Sequence, residues 1–344
     1  MFETERISLA DAQNLIIRAL TFQGVPEKQA TSVAMALVAA EAEGQSGHGF
    51  SRLEDYAAQA RSGKIKADAK VITEKLGPAS LRVDAGFGFA YPALDIAIEE
   101  GVKMALDCGT ATMSIMNSHH CGALSVHVEK LAEHGLIGIM VANAPAAIAP
   151  WGSKIPVFGT NPIAFAAPRR GNDPLVIDLS LSRVARGKVM HAKKSGQPIP
   201  EGWALDAEGN PTTDPAAALE GTMLPIGEAK GTALALMVEI LAATMTGAHH
   251  STEISSFFTA DGPPPGAGQF LLAIRPPNHD GFTRRLEELL SVISSLEDAR
   301  LPGSRRVAAR KNAIENGIDV PRHYLDLARK LGGLDDHNPQ SRPE

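Results

Sequence analysis

Residues 110–144, TATMSIMNSHHCGALSVHVEKLAEHGLIGIMVANA, carry the pattern that decides the fold. The stretch opens with a short strand pattern at 111–117, and a helical pattern runs from Ala123 to His134. The next run, GLIGIMVANA at 135–144, predicts a buried strand because it is short and apolar. Strand, helix and strand thus follow one another closely, as in a domain that mixes both element types.

Further strands and helices surround this stretch without a regular alternation. Strand patterns lie at 80–84, 175–181 and 272–276, and a long helical pattern lies at 91–106. We therefore predict an α/β fold with a mixed sheet, and not the doubly wound parallel sheet that strict alternation produces. The usual dinucleotide fingerprint is missing too, since DAGFGFAYPA at 84–93 has glycines only at positions 86 and 88.

The two chain ends are helical in pattern. Ser8 is the predicted N-cap of a first helix that ends near Gly24, and an Ala-rich second helix runs from Pro26 toward Glu43. The final polar residues are predicted to be disordered. The other predicted segments are a loop at 258–268 (FTADGPPPGAG), a charged amphipathic helix at 283–300, a loop at 299–306 (ARLPGSRR) and a last helix at 321–331.

Bulk composition argues against several classes of partner. The chain has 344 residues, a net charge of −6 and no long basic run, so neither nucleic acid nor a membrane is expected as a partner. Cys108 and Cys121 are its two cysteines, which excludes a disulfide framework and favours a reducing, cytoplasmic location. The first residues carry no secretory signal, and no apolar run reaches membrane-spanning length.

The segment SGHGFSR, residues 46–52, is the first candidate catalytic site. His48 stands between two glycines, so a ligand can approach it, and its imidazole can give or take the proton that accompanies hydride transfer. Arg52 can hold a carboxylate by two parallel hydrogen bonds, and Tyr56 lies one helical turn further on. A helix-capping loop with a surface histidine and a salt-bridged arginine is the alternative that the pattern leaves open.

The segment NSHHCGAL, residues 117–124, lies where a strand passes into a helix. Backbone N–H groups at such a helix start can bind phosphate. The run His119, His120 and Cys121 also suggests a zinc site, and hence a hydrolase. That alternative is weaker, because adjacent histidines point in different directions and no second His or Cys pair has zinc-like spacing.

Four further polar turns are candidates for binding. Thr160 can bond a substrate oxygen, Arg186 supplies positive charge, and two arginines after a Gly-Ser turn at 303–306 form a clamp for a phosphate monoester. Each turn, taken alone, is equally well explained as solvated loop. The four are FGTNPIAFAAPR at 158–169, IDLSLSRVARGK at 177–188, GEAKG at 227–231 and GSRR at 303–306.

Five blocks in a fixed order resemble the type 2 malate/L-lactate dehydrogenase family, which includes malate, sulfolactate and ureidoglycolate dehydrogenases and the reductases of piperideine- and pyrroline-2-carboxylate. The resemblance runs from about residue 7 to about 330. The blocks are GHGFSRLEDY (47–56), NSHHCGALSVHVEKLAEHGLIGI (117–139), APWGSKIPVFGTNPIAFAAPR (149–169), IPEGWALDAEGNPTTDP (199–215) and LPIGEAKG (224–231).

This resemblance implies a largely antiparallel mixed sheet flanked by helices, a non-Rossmann nucleotide-binding fold. It implies an NAD(P)-binding domain at 76–309 and a helical part from both chain ends, 1–75 plus 310–344, that serves substrate binding and dimer contact. Homodimers with the active site near the subunit contact are expected. The Ala-rich helix at 27–43 offers a small-residue surface for that contact, or else it faces its own core.

The resemblance also assigns roles. His48 is the expected proton donor or acceptor, Ser46 is the nearest serine that can assist it, and no metal is expected. Expected substrate contacts are Arg52, Tyr56, Thr160, Arg186 and Gly187. Expected cofactor contacts are His120, Cys121, Gly122, Ala123, Leu124, Asp178, Leu179, Ser180, Ala229, Lys230, Gly303, Ser304, Arg305, Arg306, Val307, Ala308 and Ala309. NADPH is predicted over NADH, because Arg305 and Arg306 suit its 2′-phosphate and no acidic residue is expected to stand beside them to bind the bare ribose of NADH.

Many relatives have a serine directly before the histidine, where this chain has Gly47. A ketone needs a well-placed acid when it is reduced, whereas a cyclic imine can arrive already protonated. This difference, together with the local blocks NSHHCGAL, FAAPR and RLPGSRR, favours reduction of a small cyclic 2-imino carboxylate, or of a 2-oxo carboxylate. A malate-, lactate- or sulfolactate-type 2-hydroxyacid dehydrogenase is the alternative, and an inactive relative that only binds cofactor is a second one.

Overall fold

The computed structural model describes residues 3–334, which form eleven strands and eleven α-helices. The strands are β1 (Thr4–Ile7), β2 (Ile72–Gly77), β3 (Ser80–Asp84), β4 (Thr110–Ser118), β5 (Ile137–Ala142), β6 (Ile163–Ala167), β7 (Leu175–Leu179), β8 (Ala204–Leu205), β9 (Thr222–Met223), β10 (Ala267–Ile274) and β11 (Ile318–Pro321). The helices are α1 (Leu9–Phe22), α2 (Glu27–Ala42), α3 (Leu53–Ser62), α4 (Ala90–Cys108), α5 (Leu124–Glu133), α6 (Arg186–Ser195), α7 (Pro215–Glu220), α8 (Ala229–Glu239), α9 (His279–Ser294), α10 (Ser304–Asn316) and α11 (Arg322–Leu331).

A seven-stranded sheet forms the centre of the molecule, in the order β2-β3-β4-β10-β5-β6-β7. Each neighbouring pair is antiparallel except β3 and β4, which run parallel. This arrangement confirms the predicted mixed, largely antiparallel sheet flanked by helices. Residues 110–144 form β4, α5 and β5. In the sheet β10 lies between β4 and β5 because it pairs with both strands.

The chain ends meet in a second, two-stranded sheet. β1 pairs with β11 in antiparallel register, with Thr4 opposite Pro321. Around it α1, α2, α3 and α11 share one apolar core, to which Ile16, Leu37 and Leu325 contribute fully buried side chains. A helical part built from both chain ends is therefore present in the fold. Its assignment to 1–75 plus 310–344 stays a prediction, and the proposed limits fall inside β2 and inside α10.

Most local predictions agree with the structure. The side chain of Ser8 accepts a hydrogen bond from the backbone N–H of Asp11 at 3.1 Å, which is the predicted N-cap. The Pro- and Gly-rich loop is confirmed up to Gly266, after which Ala267 begins β10. The predicted disordered tail lies outside the described residues.

Three boundaries near the end of the chain differ from the prediction. α9 begins at His279 and not near residue 283, and it ends at Ser294 and not near residue 300. The predicted loop 299–306 is shorter, because Gly303 takes φ +76°, a conformation that suits glycine, and α10 begins at Ser304. Arg305 and Arg306 therefore lie in the first turn of a helix.

The Ala-rich helix α2 faces its own core. Its Ala30, Val33, Ala34 and Leu37 are fully buried against neighbouring helices of the same chain. This face of the helix is therefore used within the chain, whereas Met35 on α2 is 55% exposed, so a subunit contact through this helix stays a prediction. None of the helices within residues 3–334 is both long and apolar enough to cross a bilayer.

One end of the central sheet gathers the segments that carry chemistry. Ser118 at the end of β4 pairs with Ala267 at the start of β10, and Val141 of β5 pairs with Ile163 of β6. Ile163 in turn pairs with Leu179 at the end of β7. The loops that follow β4, β5 and β7, and those that precede β6 and β10, therefore emerge at the same edge. The predicted segments at 117–124, 158–169 and 177–188 each contribute residues to these loops.

Candidate functional site

The turn that carries His48 is fixed by a buried carboxylate. Glu41, in the last turn of α2, accepts a hydrogen bond from the backbone N–H of Phe50 at 2.9 Å. A Cβ atom at Gly49 would lie only 1.9 Å from the Glu41 carboxylate oxygen, so any larger residue would displace that carboxylate. Two 3-10 turns, Ser46–His48 and Phe50–Arg52, bend the chain between α2 and α3. The glycine after His48 thus serves close packing as well as access.

His48 stacks on His120 at the edge of the sheet. The two rings lie 5.4 Å apart between centroids, with an interplanar angle of 18°. Burial, together with the positive charge of Arg52, lowers the pKa of His48 to about 4. Burial also holds the pKa of His120 well below its usual range. Both imidazoles are therefore neutral at pH 7, and His48 is a proton acceptor in the resting state.

The nitrogen Nδ1 of His48 is buried and has no hydrogen-bond partner. Ser46 is exposed, and its carbonyl oxygen accepts a bond from the hydroxyl of Ser51 at 2.7 Å. The hydroxyl of Ser46 therefore does not reach round to replace the serine that relatives have at the position of Gly47. Orientation of the His48 ring comes instead from its stack on His120.

Arg52 is held on three sides. Its Nε donates to the carbonyl oxygen of Gly47 at 2.8 Å, and its guanidinium carbon lies 4.6 Å from the centroid of the Phe258 ring. Its contact with Asp55, at 3.8 Å, is a long ion pair. A stacked and anchored guanidinium of this kind is oriented to bind a carboxylate through its terminal nitrogens.

Tyr56 lies beneath the site and not in it. The residue is fully buried, and its hydroxyl is hydrogen-bonded to His120 Nδ1 at 2.6 Å and to the Tyr91 hydroxyl at 2.9 Å. Direct contact with substrate, which the sequence predicted, is therefore wrong for this side chain. Tyr56 acts on the site by fixing the ring of His120, against which His48 stacks.

A second pair beside Tyr56 was not predicted. Gln59, one helical turn further along α3, accepts a hydrogen bond through Oε1 from His119 Nε2 at 2.7 Å, and its amide nitrogen donates to the carbonyl oxygen of Phe257 at 2.8 Å. The Phe257 ring lies 5.2 Å from the His119 ring and 5.3 Å from the His120 ring. Gln59 carries no recognisable catalytic pattern, so only the spacing of three from Tyr56 gives a hint in the sequence.

The helix start at 120–124 is closed by a carboxylate. Asp178 Oδ2 accepts a hydrogen bond from the backbone N–H of Ser125 at 2.8 Å. A negative charge at this helix start leaves it unsuited to phosphate, contrary to the prediction. The side chains of Cys121, Ala123 and Leu124 are buried, and burial raises the pKa of Cys121 to about 12. These residues can meet a ligand through their backbone.

Gly122 shows why the backbone can approach so closely here. Its φ is +69°, and an added Cβ would lie 2.7 Å from the Tyr91 hydroxyl. The hydroxyl that fills this space is the one bonded to Tyr56. The turn after β4 and the α3 residues are thus packed as one unit.

Thr160 and the end of β7 are joined by the backbone. The carbonyl oxygen of Thr160 accepts a hydrogen bond from Leu181 N at 2.8 Å. Beyond β7 the hydroxyls of Ser180 and Ser182 are 3.1 Å apart, and Leu179 is 41% exposed. The structure therefore brings together the predicted turns at 158–162 and 177–182 as one polar rim.

A buried carboxylate supports this rim from below. Glu239 accepts hydrogen bonds from the backbone N–H of Ser251 at 2.6 Å, from the Ser251 hydroxyl at 2.7 Å and from the Asn161 side chain at 2.8 Å. Asn161 itself takes φ +38°, which is uncommon for a residue other than glycine. Glu239 thus fixes the turn that presents Thr160, and nothing in its sequence surroundings signals that role.

Arg186 opens α6, seven residues beyond the end of β7. Its guanidinium is half-buried and donates to the carbonyl oxygen of Leu219 at 3.3 Å. Burial lowers its pKa, and no ion pair to it occurs among the side chains described in residues 3–334. Gly187 is exposed, with open space where a side chain would stand. The pair is therefore free to receive an anion.

The turn at Ala229 and Lys230 opens α8. Both residues are exposed, and Glu228 before them takes φ +58°. Gly231, the next residue, is buried, and an added Cβ would lie 1.8 Å from the carbonyl oxygen of Ile226. The turn is tightly folded and presents the lysine outward.

The start of α10 divides the two predicted arginines. Arg305 is exposed, but Arg306 is 9% exposed and its Nη1 lies 2.8 Å from Glu43 and 3.2 Å from Glu129. The prediction that no acidic residue accompanies these arginines is therefore wrong for Arg306. Arg310, one turn on, joins the same two carboxylates.

The remaining predicted cofactor positions lie on this helix and its start. Gly303 is the N-cap of α10, and no side chain caps the helix. Ser304 and Ala308 are exposed, while Val307 and Ala309 are partly buried. The start of α10 thus keeps unpaired backbone N–H groups beside an exposed arginine, whereas a carboxylate meets the start of α5.

The histidines and the cysteine of 119–121 do not converge on a metal. His119 is bonded to Gln59, His120 to Tyr56, and Cys121 is packed in the core. Within residues 3–334 no three His, Cys, Asp or Glu side chains are grouped as metal ligands. The zinc hydrolase alternative therefore has no geometric support.

The site places a neutral imidazole, an anchored guanidinium and a polar rim at one sheet edge, which are groups that an oxidoreductase for small carboxylic acids requires. The sequence profile of the malate/L-lactate dehydrogenase family matches residues 7–327. The chain belongs to this family, and it is an oxidoreductase. The matched range agrees with the range of about 7 to about 330 over which the five sequence blocks resemble this family.

Individual relatives match over nearly their whole length. The (2R)-3-sulfolactate dehydrogenase (NADP(+)) of Chromohalobacter salexigens is 50% identical over 324 residues, or 94% of this chain and 97% of the relative. The Δ1-pyrroline-2-carboxylate/Δ1-piperideine-2-carboxylate reductase of Pseudomonas putida is 39% identical over 331 residues, or 95% and 97%. The crystal structure of the Δ1-piperideine-2-carboxylate reductase from Pseudomonas syringae pv. tomato superposes with a TM-score of 0.90 at 36% identity, covering 95% of this chain and all of that one.

The division of roles between the two arginines is testable through stability. Replacing Arg306 by alanine leaves Glu43 and Glu129 without one of their two shared guanidinium partners in a buried place. We expect Arg306→Ala to lower the free energy of unfolding by about 3–5 kcal/mol in urea titrations. Arg305→Ala, at the adjacent exposed position, is the control and should change it by less than about 0.5 kcal/mol. Equal effects would contradict the assignment.

Proposed function

We propose that this chain is an NADP-dependent dehydrogenase of a small 2-hydroxy acid that carries a second anionic group, with 3-sulfolactate and its 2-oxo counterpart as the substrate pair. One observation carries the choice of a dianion: Arg186 is a partly buried guanidinium without a carboxylate partner among the described side chains. The 50% identity to a sulfolactate dehydrogenase supports the sulfonate.

The charge arrangement explains why a dianion fits. A guanidinium removed from water and left without an anion is costly, so a site that keeps one is built to receive an anion from the ligand. Arg52 binds the carboxylate next to the reacting carbon, and Arg186 binds the second group. Thr160, which the backbone joins to the segment leading to Arg186, completes the rim between them.

His48 handles the proton in this reaction. Because the pKa of His48 is lowered to about 4, its imidazole is neutral when a 2-hydroxy acid binds, and it can accept the hydroxyl proton. Nδ1 is enclosed, so Nε2 is the nitrogen that acts. In the reverse direction the same nitrogen returns the proton to the carbonyl oxygen. The bound nicotinamide supplies or accepts the hydride.

The residues present fit NADP. The uncapped start of α10, with Gly303, Ser304 and Arg305, suits the 2′-phosphate, since backbone N–H groups and a guanidinium converge there. The exposed Lys230 and the backbone of 120–124 are placed to line the remainder. Arg306 contributes by holding α10 against Glu43 and Glu129. NAD is the alternative cofactor, which lacks the phosphate that this helix start suits.

Reduction of a cyclic 2-imino acid is the second candidate, and one observation favours it. His48 has no hydroxyl partner at Nδ1, so nothing beyond the ring stack stabilises its protonated form. An imine that is already protonated needs no such acid. The reductases of Pseudomonas species at 37–39% identity support this reading.

We also propose a cytoplasmic homodimer. α8 is apolar on all sides: Ala235 and Val238 are buried in its own chain, while Leu236 is 49% and Met237 47% exposed. A helix of that composition is stable when both faces are covered. A second copy of this chain would cover it, and Trp151, whose backbone N–H bonds Thr232 on α8, is 50% exposed beside it. Such a contact starts at Lys230, beside the cofactor rim.

The role of His48 predicts a large loss of rate on its removal. His48→Ala should lower the turnover rate for oxidation by roughly two to four powers of ten. In the unmodified enzyme, kcat/KM for oxidation should fall as the pH drops through about 4, because the base must be unprotonated, and should not depend on this group above about pH 5. Near-normal turnover of the variant at saturating substrate would contradict the assignment. Cofactor binding without turnover in the unmodified protein would indicate the inactive relative.

The substrate is tested by a panel of reduction assays in which the oxidation of NADPH or of NADH is followed. Sulfopyruvate should exceed pyruvate, pyrroline-2-carboxylate and piperideine-2-carboxylate in kcat/KM by more than about tenfold, or roughly 1.4 kcal/mol of transition-state discrimination. Arg186→Met should remove the preference over pyruvate, whereas Arg183→Met, which changes an exposed arginine nearby, should keep it. A preference for the cyclic imines would establish the second candidate instead.

The subunit contact is tested by light scattering at micromolar concentration. The unmodified chain should have the mass of a dimer, and Met237→Glu should convert it to a monomer by placing a charge on the apolar face of α8. Leu289→Glu, which adds the same charge to a leucine of α9 that is 57% exposed, is the control and should remain dimeric. A monomeric unmodified chain would refute the proposal.

A further inference from the structure

Lys64 is buried beyond the end of α3, although it has no carboxylate within ion-pair distance among residues 3–334. It is 3% exposed, and its ammonium group donates to three backbone carbonyl oxygens: Ser256 at 2.7 Å, Asp261 at 2.8 Å and Thr259 at 3.0 Å. All three donors of the ammonium group are thus used. A charge buried in this way is expensive and indicates a specific structural demand.

The end of α3 holds the same loop at two more points. Ser62 donates to the carbonyl oxygen of Ala260 at 2.9 Å, and Gln59 donates to that of Phe257 at 2.8 Å. In the segment 256–261, the carbonyl of Phe258 is thus the one that these three side chains leave out. A Pro- and Gly-rich loop has little regular structure of its own, so its shape here is imposed by α3.

Two aromatic rings on this loop reach the catalytic groups. Phe257 lies against His119 and His120, and Phe258 lies 4.6 Å below the guanidinium of Arg52. Arg52 lies directly before α3, at the opposite end of this helix from Lys64. The start of α3 therefore positions Arg52. The end of the same helix holds the loop whose Phe258 ring orients Arg52.

We infer that Lys64 is a positioning residue for substrate binding, which acts by fixing the loop 256–261 so that Phe258 orients Arg52 for the carboxylate. The inference rests on the proposed function insofar as Arg52 binds the substrate carboxylate. Lys64 touches neither Arg52 nor His48. Its effect passes through the loop backbone and the Phe258 ring.

The consequence is a selective change in carboxylate affinity. A loosened loop lets the Phe258 ring leave Arg52, and the guanidinium then has more orientations to lose when a carboxylate binds. Proton transfer at His48 depends on the His120 ring, which the hydrogen bond from Tyr56 still holds when the loop loosens. Lys64 should therefore affect KM for the carboxylate much more than kcat, and should leave KM for NADPH unchanged.

The test compares Lys64→Met with Lys66→Met. Lys66 lies two residues away, is exposed, and has its ammonium over the Phe87 ring, so its removal changes the charge without touching the loop. We expect Lys64→Met to raise KM for the carboxylate by about tenfold, with kcat within about threefold, and Lys66→Met to leave both unchanged. An unchanged KM in folded Lys64→Met would overturn the inference, whatever its stability.

Phe258→Leu keeps the proposal testable if Lys64→Met does not fold. Phe258 is 38% exposed, so the variant is expected to fold, and it should reproduce the KM effect because it removes the ring from Arg52. A normal KM in that variant would equally overturn the inference. If both variants fold, their double mutant should be no worse than either one, since they act on the same contact.

A binding measurement separates this inference from the proposed function. Malonate, a dianion that cannot react, is titrated calorimetrically into the enzyme in the presence of NADP+. Its dissociation constant should rise about tenfold in Lys64→Met and not in Lys66→Met. Such a result without turnover of any carboxylate by the unmodified enzyme would refute the proposed function and uphold the role of Lys64. Turnover of a carboxylate by the unmodified enzyme, with equal malonate affinity in all three proteins, would uphold the proposed function and refute the role of Lys64.

Discussion

The hydrogen bond between Tyr56 and His120 is the contact on which the site depends. It joins α3, from the helical part built of both chain ends, to the turn that follows β4 of the central sheet. His48 has no hydrogen-bond partner at Nδ1, so its orientation derives from the ring that this bond holds. Gln59 repeats the arrangement one turn later with His119. A single short helix thus sets two imidazoles at the sheet edge, and the chemistry follows from that geometry.

Buried carboxylates determine which helix starts and which arginines of the site already have a partner within the chain. Where a carboxylate meets a helix start, as Asp178 does at α5, the start is closed to anions. Where no side chain caps it, as at α10, the start stays available. The same contrast separates the arginines, because Arg306 has Glu43 and Glu129 as partners while Arg186 has a carbonyl oxygen. Electrostatic pairing within the chain therefore tells which cations belong to the structure and which can meet a ligand.

The sequence allowed the sheet, the capped first helix and the turns of the site to be predicted, because apolar periodicity and Gly, Pro and Ser signals are local. It could not show that Tyr56 and Arg306 are buried. Those facts depend on partners such as Tyr91 and Glu43, which lie far away in the chain. The roles of Gln59 and Lys64 could not be predicted for the same reason, since a glutamine and a lysine at the end of a helix have the pattern of ordinary surface residues.

The pairing of β1 with β11 has a consequence for how the chain folds. Residues near the start contribute to the same apolar core as Val320 and Leu325, so contacts of very large sequence separation must form before that core is complete. During synthesis the central sheet can assemble from residues 72–274 while the last segment is still being made. The turn with His48 then gains its final support only when the last helix docks. A growing chain therefore has its sheet before it has a catalytic centre, and a product cut short before residue 318 lacks the strand that closes the helical part.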